Sequence, residues 1–309
     1  MEINKLIHKH QYGFQAHKST EHHLLHVTNH IGQALNNGDF CMGIFLDFKK
    51  AFDTVSHKIL LKKLKNFGIT GMAHSWFTSY LSDRKQCVDI NGNISSSKNI
   101  NISVLQGSML GPILFLCFIN DLPNCTLLNA FLFADNTAVL ASHKNLPDLV
   151  AIVNTELQKI SNWLRSNRMA INVSKTKFIL FRTRGKRVDP TQLNVFLNTN
   201  EIGGVDDPAL VFPLERIFNN HTNPAERTYK LLGVHFDEFL SFDGHVSFLC
   251  AKLSKMLFCI RRAVNHLSKN SLKSLYTAFI HSNLLYCSNI VGCTSNQTSK
   301  RFTKYKKRQ

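Results

Sequence analysis

A chain of 309 residues with 44% apolar and 18% charged residues can bury the core of one large or two modest domains, which excludes wholesale disorder. Its 37 Lys and Arg against 20 Asp and Glu leave a formal charge of +17, pointing to a polyanionic partner, nucleic acid before anionic membrane. None of the eight cysteines forms a C-x-x-C pair, so they read as reduced core thiols.

MEINKLIHKH has no apolar signal-peptide core, and the longest apolar run, 109–119, is too short to span a bilayer. A soluble intracellular chain is expected, with nucleus and cytoplasm both open. Ser19-Thr20 precede Leu24, Thr28, Ile31 and Leu35 and the stop Asn36-Asn37-Gly38, the pattern of a capped amphipathic helix. CMGIFLDF (41–48) predicts a buried strand, and 57–67 a basic helix ending at Gly68. GMAHSWFTSYLSDRK predicts a further helix, and QCVDINGNISSSKNINIS two short strands about Asn91-Gly92. VLQGSMLGPILFLCFINDL reads as a Gly-Ser loop feeding an apolar helix, and FLFADNTAVLAS (131–142) as a tight hairpin tipped by Asp135. Next come an amphipathic helix over 148–168, a strand over 175–183, a polar, irregular insertion over 185–226, a strand at YKLLGVHFD and two basic helices over 245–286. KRFTKYKKRQ is a charge run facing solvent or nucleic acid. Helices and strands alternate irregularly with hairpins, so the class is α+β.

Two carboxylates stand out. Asp47 ends an apolar strand and opens D-x-x-x-A-F-D, and Asp135 tips the hairpin. Taken singly, each reads as an ordinary turn or cap acid. Brought together beside the Gln106-Gly107-Ser108 loop and a basic surface, the pair suits magnesium, which takes hard oxygen ligands and retains water and substrate phosphates. His22, His26 and His30 share a helical face, but they lack a closed set of companion ligands and read as a polar face. The clusters Lys58-Lys62-Lys63-Lys65, Arg182-Arg184-Lys186-Arg187 and Arg261-Arg262 read as solvated faces, a share of them making salt-sensitive phosphate contacts.

FLDFKKAFDTVSHKILLKKL, VLQGSMLGPILFLCFINDLP, FADNTAVL, NVSKTKFILF and YKLLGVHFDEFLSFDGHV follow one another in this order, after QYGFQAHKST. Together they resemble the successive polymerase motifs of reverse transcriptases from non-LTR (LINE-like, jockey-type) retrotransposons. The resemblance runs from about Gln11 to Cys293. It implies a right-hand polymerase fold: partial fingers and palm over 1–228 (with 185–226 inserted), primer-grip-like strands over 229–244, thumb-like helices over 245–298 and a basic tail over 299–309.

The activity it implies is RNA-directed DNA polymerisation, extending a DNA primer on an RNA template with dNTPs and two Mg2+ ions. By the same resemblance, Asp47, the Phe48 backbone, Asp135 and the position of Asn136 hold the metals, and Lys175 assists proton transfer to pyrophosphate. Phe52 is the aromatic gate below the sugar, though alone it reads as a core aromatic. Gln106 and Gly107, with Lys18, contact the incoming nucleotide, and Leu232-Gly233 form the primer grip.

The sequence departs from the family pattern in ways that bear on activity. Asn136 stands where relatives carry a second Asp, Gln15 where they usually carry Arg, and Leu105 where they usually carry Pro. An amide offers one neutral oxygen but no charge. Where catalysis is chiefly positioning and electrostatics, losing one ligand charge costs several kcal/mol, and each ~1.4 kcal/mol is a tenfold loss in rate. The chain also begins just ahead of the fingers motif and ends soon after the thumb begins, so it reads as a truncated, mutated copy. Two readings stay open: a polymerase impaired at Asn136, and a catalytically dead remnant that binds nucleic acid.

Overall fold

Seven consecutive buried residues, FCMGIFL, form strand β1 (Phe40–Leu46). An unbroken apolar run of this kind belongs in the middle of a sheet covered on both faces. The computed structural model describes residues 6–105, 107–199, 210–218 and 227–291. By contacts the chain divides into two units, the first Met1–Ser19, Gly43–Phe178 and Val188–Glu215, the second Thr20–Met42, Ile179–Arg187 and Arg216–Gln309.

The first unit carries helices α2 (His57–Asn66) and α3 (Gly71–Leu81), then the two-residue strands β2 (Lys85–Gln86), β3 (Asp89–Ile90), β4 (Asn93–Ile94) and β5 (Lys98–Asn99). The expected pair of strands about Asn91-Gly92 is therefore four: β3 pairs with β4 across that turn, and β2 pairs with β5 outside it. Asn91 and Gly92 both have positive φ, as a two-residue hairpin of this hand requires. Helix α4 (Leu110–Ile119) buries six of its ten apolar residues, and Gly111 admits its first turn, because a Cβ there would lie 2.3 Å from the Leu105 carbonyl oxygen.

Strands β6 (Asn129–Phe133) and β7 (Asn136–His143) form the expected hairpin. Helix α5 (Leu146–Ser166) follows, burying Leu149, Val153, Leu157, Ile160 and Leu164 at helical spacing. Strands β8 (Lys177–Phe181), β9 (Phe196–Thr199), β10 (Leu210–Pro213) and β11 (Glu215–Ile217) come next. The sheet order is β11-β8-β1-β7-β6. The segment expected to be irregular over 185–226 thus carries three strands among its described residues, with β9 and β10 paired antiparallel.

The second unit holds helix α1 (Thr20–Asn36), strands β12 (Tyr229–Leu231) and β13 (Val234–Phe236), and helices α6 (Asp243–Ala263), α7 (Lys269–Tyr276), α8 (Ser282–Leu285) and α9 (Ser288–Val291). YKLLGVHFD is a hairpin rather than one strand, because Leu232 and Gly233 both adopt positive φ and reverse the chain. After β13, the buried Asp237 carboxylate accepts the N–H groups of Phe239, Ser241 and Phe242 and the Ser241 hydroxyl, at 2.8–3.2 Å. Those bonds fix the turn into α6. Of the two basic helices expected over 245–286, the second continues from α7 through a π-helical turn, Thr277–His281, into α8. Leu249 and Leu253 of α6 pack with Ile280 and Leu284. No helix among the described residues is long and apolar enough to cross a membrane. The basic tail, 299–309, lies outside the described residues.

Candidate active site

Strand β1 ends at Leu46 and delivers Asp47, half-buried, at its C-terminal edge. The Asp47 N–H donates to the Thr176 hydroxyl at 3.1 Å, and its carbonyl accepts the Asn172 N–H at 2.8 Å. The Asn172 carbonyl in turn accepts the N–H groups of Lys175 and Thr176 at 3.2 and 2.9 Å. The segment 172–176 is thus a tight turn clamped onto the backbone of Asp47. Phe48 bridges Ile171, with hydrogen bonds running through Asp47 and Lys49 on either side. In such a pair the central carbonyl is left out of the ladder, so this bridge does not consume the Phe48 oxygen.

Asp135 sits in the two-residue turn between Phe133 and Asn136, which are paired in register. Ala134, the other turn residue, has φ +55, a strained conformation for any residue with a Cβ, of a kind that persists only where the surroundings hold it. Here they do: the buried Gln11 side-chain carbonyl accepts the N–H groups of Ala134 and Gly13 at 3.0 and 2.9 Å. The backbone of Gln11 bridges Leu132, and the Tyr12 N–H donates to the Leu132 carbonyl at 2.8 Å. Asn136 is exposed at the start of β7.

Burial pushes the Asp47 carboxyl above its ordinary value, the Lys175 ammonium pulls it down, and the Asp135 carboxylate pushes it up again. The three charges therefore share one electrostatic neighbourhood, supplied by the end of β1, the β6–β7 turn and the approach to β8. Among the described residues no group of three or more His, Cys, Asp or Glu side chains is arranged to hold a metal, His22, His26 and His30 included. Next in the chain to the Asp47 and Asp135 carboxylates stand the Phe48 carbonyl and the Asn136 amide, so every donor the sequence puts here is an oxygen. That set fits a hard divalent cation and falls one charge short of three carboxylates.

Phe52 is half-buried and stacked on Phe115 at 4.4 Å, with Phe14 edge-on at 6.5 Å. Gln106 lies outside the described residues. Gly107 is exposed with φ +83, in a loop closed where the Ser108 hydroxyl donates to the Leu105 carbonyl and accepts the Gly111 N–H. The Lys18 ammonium donates to the carbonyls of Lys9 and Gln11 at 2.8 and 2.7 Å. Leu232 and Gly233 belong to the second unit.

The basic clusters divide in two. Lys63 turns inward, donating to the Phe118 carbonyl at 2.6 Å and to Asp121 at 2.7 Å. Lys186 covers the Phe40 ring and bonds the Gly38 carbonyl, and Arg182 and Arg216 share the buried Glu238 carboxylate. Lys58, Lys62, Lys65, Arg184, Arg187, Arg261 and Arg262 remain on the surface. Sequence reasoning missed Thr176, Gln11 and Gly13. Their one signal was membership of the quoted stretches QYGF and SKTK.

The family described as "Reverse transcriptase (RNA-dependent DNA polymerase)" matches residues 1–236. The RNA-directed DNA polymerase from mobile element jockey of Drosophila melanogaster is 27% identical over 303 residues, 94% of this chain and 30% of that protein. The probable RNA-directed DNA polymerase from transposon BS, also of Drosophila melanogaster, is 25% identical over 292 residues, 91% of this chain and 29% of that protein. A solved structure of telomerase from Candida albicans with a fragment of telomeric RNA aligns with 86% of this chain and 48% of its own, at 14% identity and a TM-score of 0.37. The chain spans about 30% of the length of the curated relatives it matches.

Proposed function

The chain belongs to the reverse transcriptase family, and from that premise we propose that it is the polymerase portion of a non-LTR retrotransposon enzyme, built to extend a DNA primer on an RNA template with dNTPs. What carries this reading is where three segments meet: Asp47 at the end of β1, Asp135 in the turn entering the neighbouring strand β7, and Lys175 in the turn clamped on the Asp47 backbone. Asp47, Asp135 and the Phe48 carbonyl would hold magnesium, with the Asn136 amide as a weak fourth donor. Bound there, the ion supplies charge to activate the primer 3′-hydroxyl and to neutralise the pyrophosphate.

The chain's own groups do the rest. Lys175, exposed beside Asp47, offers a proton to the leaving pyrophosphate. Phe52, braced on Phe115, presents a rigid floor that excludes a ribose 2′-hydroxyl. Gln106 and Gly107 meet the nucleotide and its template partner, and the Leu232-Gly233 turn contacts the primer backbone. Lys18 braces the 9–11 backbone that leads to the hairpin tip. A second reading, a remnant that binds nucleic acid without polymerising, is favoured by one feature: the amide of Asn136 in place of a ligand carboxylate.

Primer extension on an RNA template with magnesium separates them, comparing the native chain, Asn136→Asp and Asp135→Ala as blank. The expected result is a native rate at or near the blank and a reverted rate higher by at least about tenfold, since one ligand charge is worth several kcal/mol. Native extension well above the blank removes the impairment. Extension by neither removes the polymerase reading and leaves nucleic-acid binding.

A further inference from the structure

The β12–β13 hairpin turns on Leu232 and Gly233, with φ +43 and +89, and Leu231 pairs with Val234 across it. A bulky residue with positive φ is strained, so something outside the hairpin holds it. That contact comes from Tyr286, 54 residues downstream, whose hydroxyl donates to the Leu232 carbonyl at 2.6 Å. A Cβ on Gly233 would lie 3.3 Å from the edge of the Tyr286 ring, so the glycine lets the ring lie against the turn.

Tyr286 is itself held. Its N–H bonds the Ser282 carbonyl at 3.1 Å, closing α8. The next residue, Cys287, has φ +54 and donates its N–H to the Glu21 carboxylate in the first turn of α1 at 3.0 Å. The Cys287 carbonyl then accepts the N–H groups of Ile290 and Val291, starting α9. The tyrosine is therefore anchored on both sides before it reaches the turn.

We propose that Tyr286 is a positioning residue for the Leu232-Gly233 turn, fixing the plane of the peptide between them and so the side on which its N–H is presented. The peptide is planar and trans. With its carbonyl held toward the tyrosine, the Gly233 N–H points the other way, where an acceptor such as a phosphodiester oxygen can approach it. This rests on the reading of the turn as a primer contact. The hydroxyl supplies the hydrogen bond to the Leu232 carbonyl, which a phenylalanine ring cannot make.

The test uses the full chain and Tyr286→Phe, with a primer–template duplex carrying a photoreactive thiothymidine at the primer 3′ end. Cross-links are mapped by mass spectrometry, duplex affinity by anisotropy, and hydrogen exchange over 229–236 in the free chain. Loss of one neutral hydrogen bond shifts an equilibrium roughly two- to tenfold. The cross-link to 229–236 and exchange protection there are each expected to change by that factor, with overall affinity held by the rest of the surface. Unchanged cross-linking and exchange overturn the role of Tyr286. Faster exchange with unchanged cross-linking makes it a structural clamp only, which also overturns the proposal. A native chain that cross-links elsewhere overturns the reading of the turn itself, a failure visible without the variant.

Discussion

Gly13→Ala tests how the hairpin tip is held. A Cβ at Gly13 would stand 2.5 Å from the Ala134 nitrogen and 3.1 Å from its Cα and Cβ. The obstacle is backbone, so no side chain can swing aside, and about 0.5 Å of displacement is the least that makes the contact tolerable. The move pulls Ala134 from the Gln11 carbonyl, now 3.0 Å away, toward the limit of a hydrogen bond. Overpacking of this kind costs about 1–3 kcal/mol, and a weakened bond to a buried amide a further 1–3 kcal/mol or so. Allowing for partial relaxation, the loss is roughly 2–5 kcal/mol, or a melting temperature lower by roughly 4–20 °C at about 2–4 °C per kcal/mol. Gly32→Ala is the control, because its Cβ meets nothing within 4 Å and it sits inside α1. It is expected to stabilise by about 0.5–1 kcal/mol. Thermal melts followed by circular dichroism decide the matter. A Gly13→Ala chain melting as the native one does refutes the account of the tip.

Two further perturbations read the electrostatics. The Asp47 carboxyl titrates above its ordinary value, so its contribution to stability is complete below the unfolded pKa and is lost as pH rises through the folded one. Asp47→Asn should therefore melt higher than the native chain at neutral pH, with the gap closing in acid, and should lose any stabilisation by magnesium. A variant that melts lower at pH 7 contradicts this. His245, pushed from 6.5 to about 4 by burial and by the nearby His235 and Lys230, runs in the opposite sense. Its neutral form supports the fold fully above the ordinary value, and that support drains as pH falls from about 6.5 to about 4. His245→Gln should flatten the melting-temperature profile across that window, and an unaltered acid slope would assign the loss to other groups.

What the sequence reveals follows from the range of the forces involved. Helices α1 and α5 were legible because burial imposes a period on their own residues, and strand β1 because it is an unbroken apolar run. The β12–β13 hairpin was not, since its turn holds Leu232 at positive φ, and leucine carries no turn signal. The stretch 85–99 was half-legible: Asn91-Gly92 marked its inner turn, while the exposed Ile90 and Ile94 gave no period to bound the strands. In the site, Asp47 and Asp135 were visible as acids closing apolar runs. Thr176 and Gln11 act through hydrogen bonds to residues 129 and 123 positions away. Nothing local marks a residue whose partner is that remote.

The same electrostatics say what the amide at 136 does to the fold as distinct from the rate. Asp47 already bears the cost of burial and the repulsion of Asp135, and Lys175 offsets only part of it. A carboxylate at 136 adds a third negative charge next to Asp135, so without a divalent ion it should destabilise. With the ion present the sign reverses, because the added charge becomes a ligand. Asn136→Asp is accordingly expected to melt below the native chain in chelator and above it in millimolar magnesium. Crossing curves would locate a metal site even if neither chain extended a primer. Parallel curves would mean that position 136 does not face the ion, and the impairment assigned to it would have to lie elsewhere.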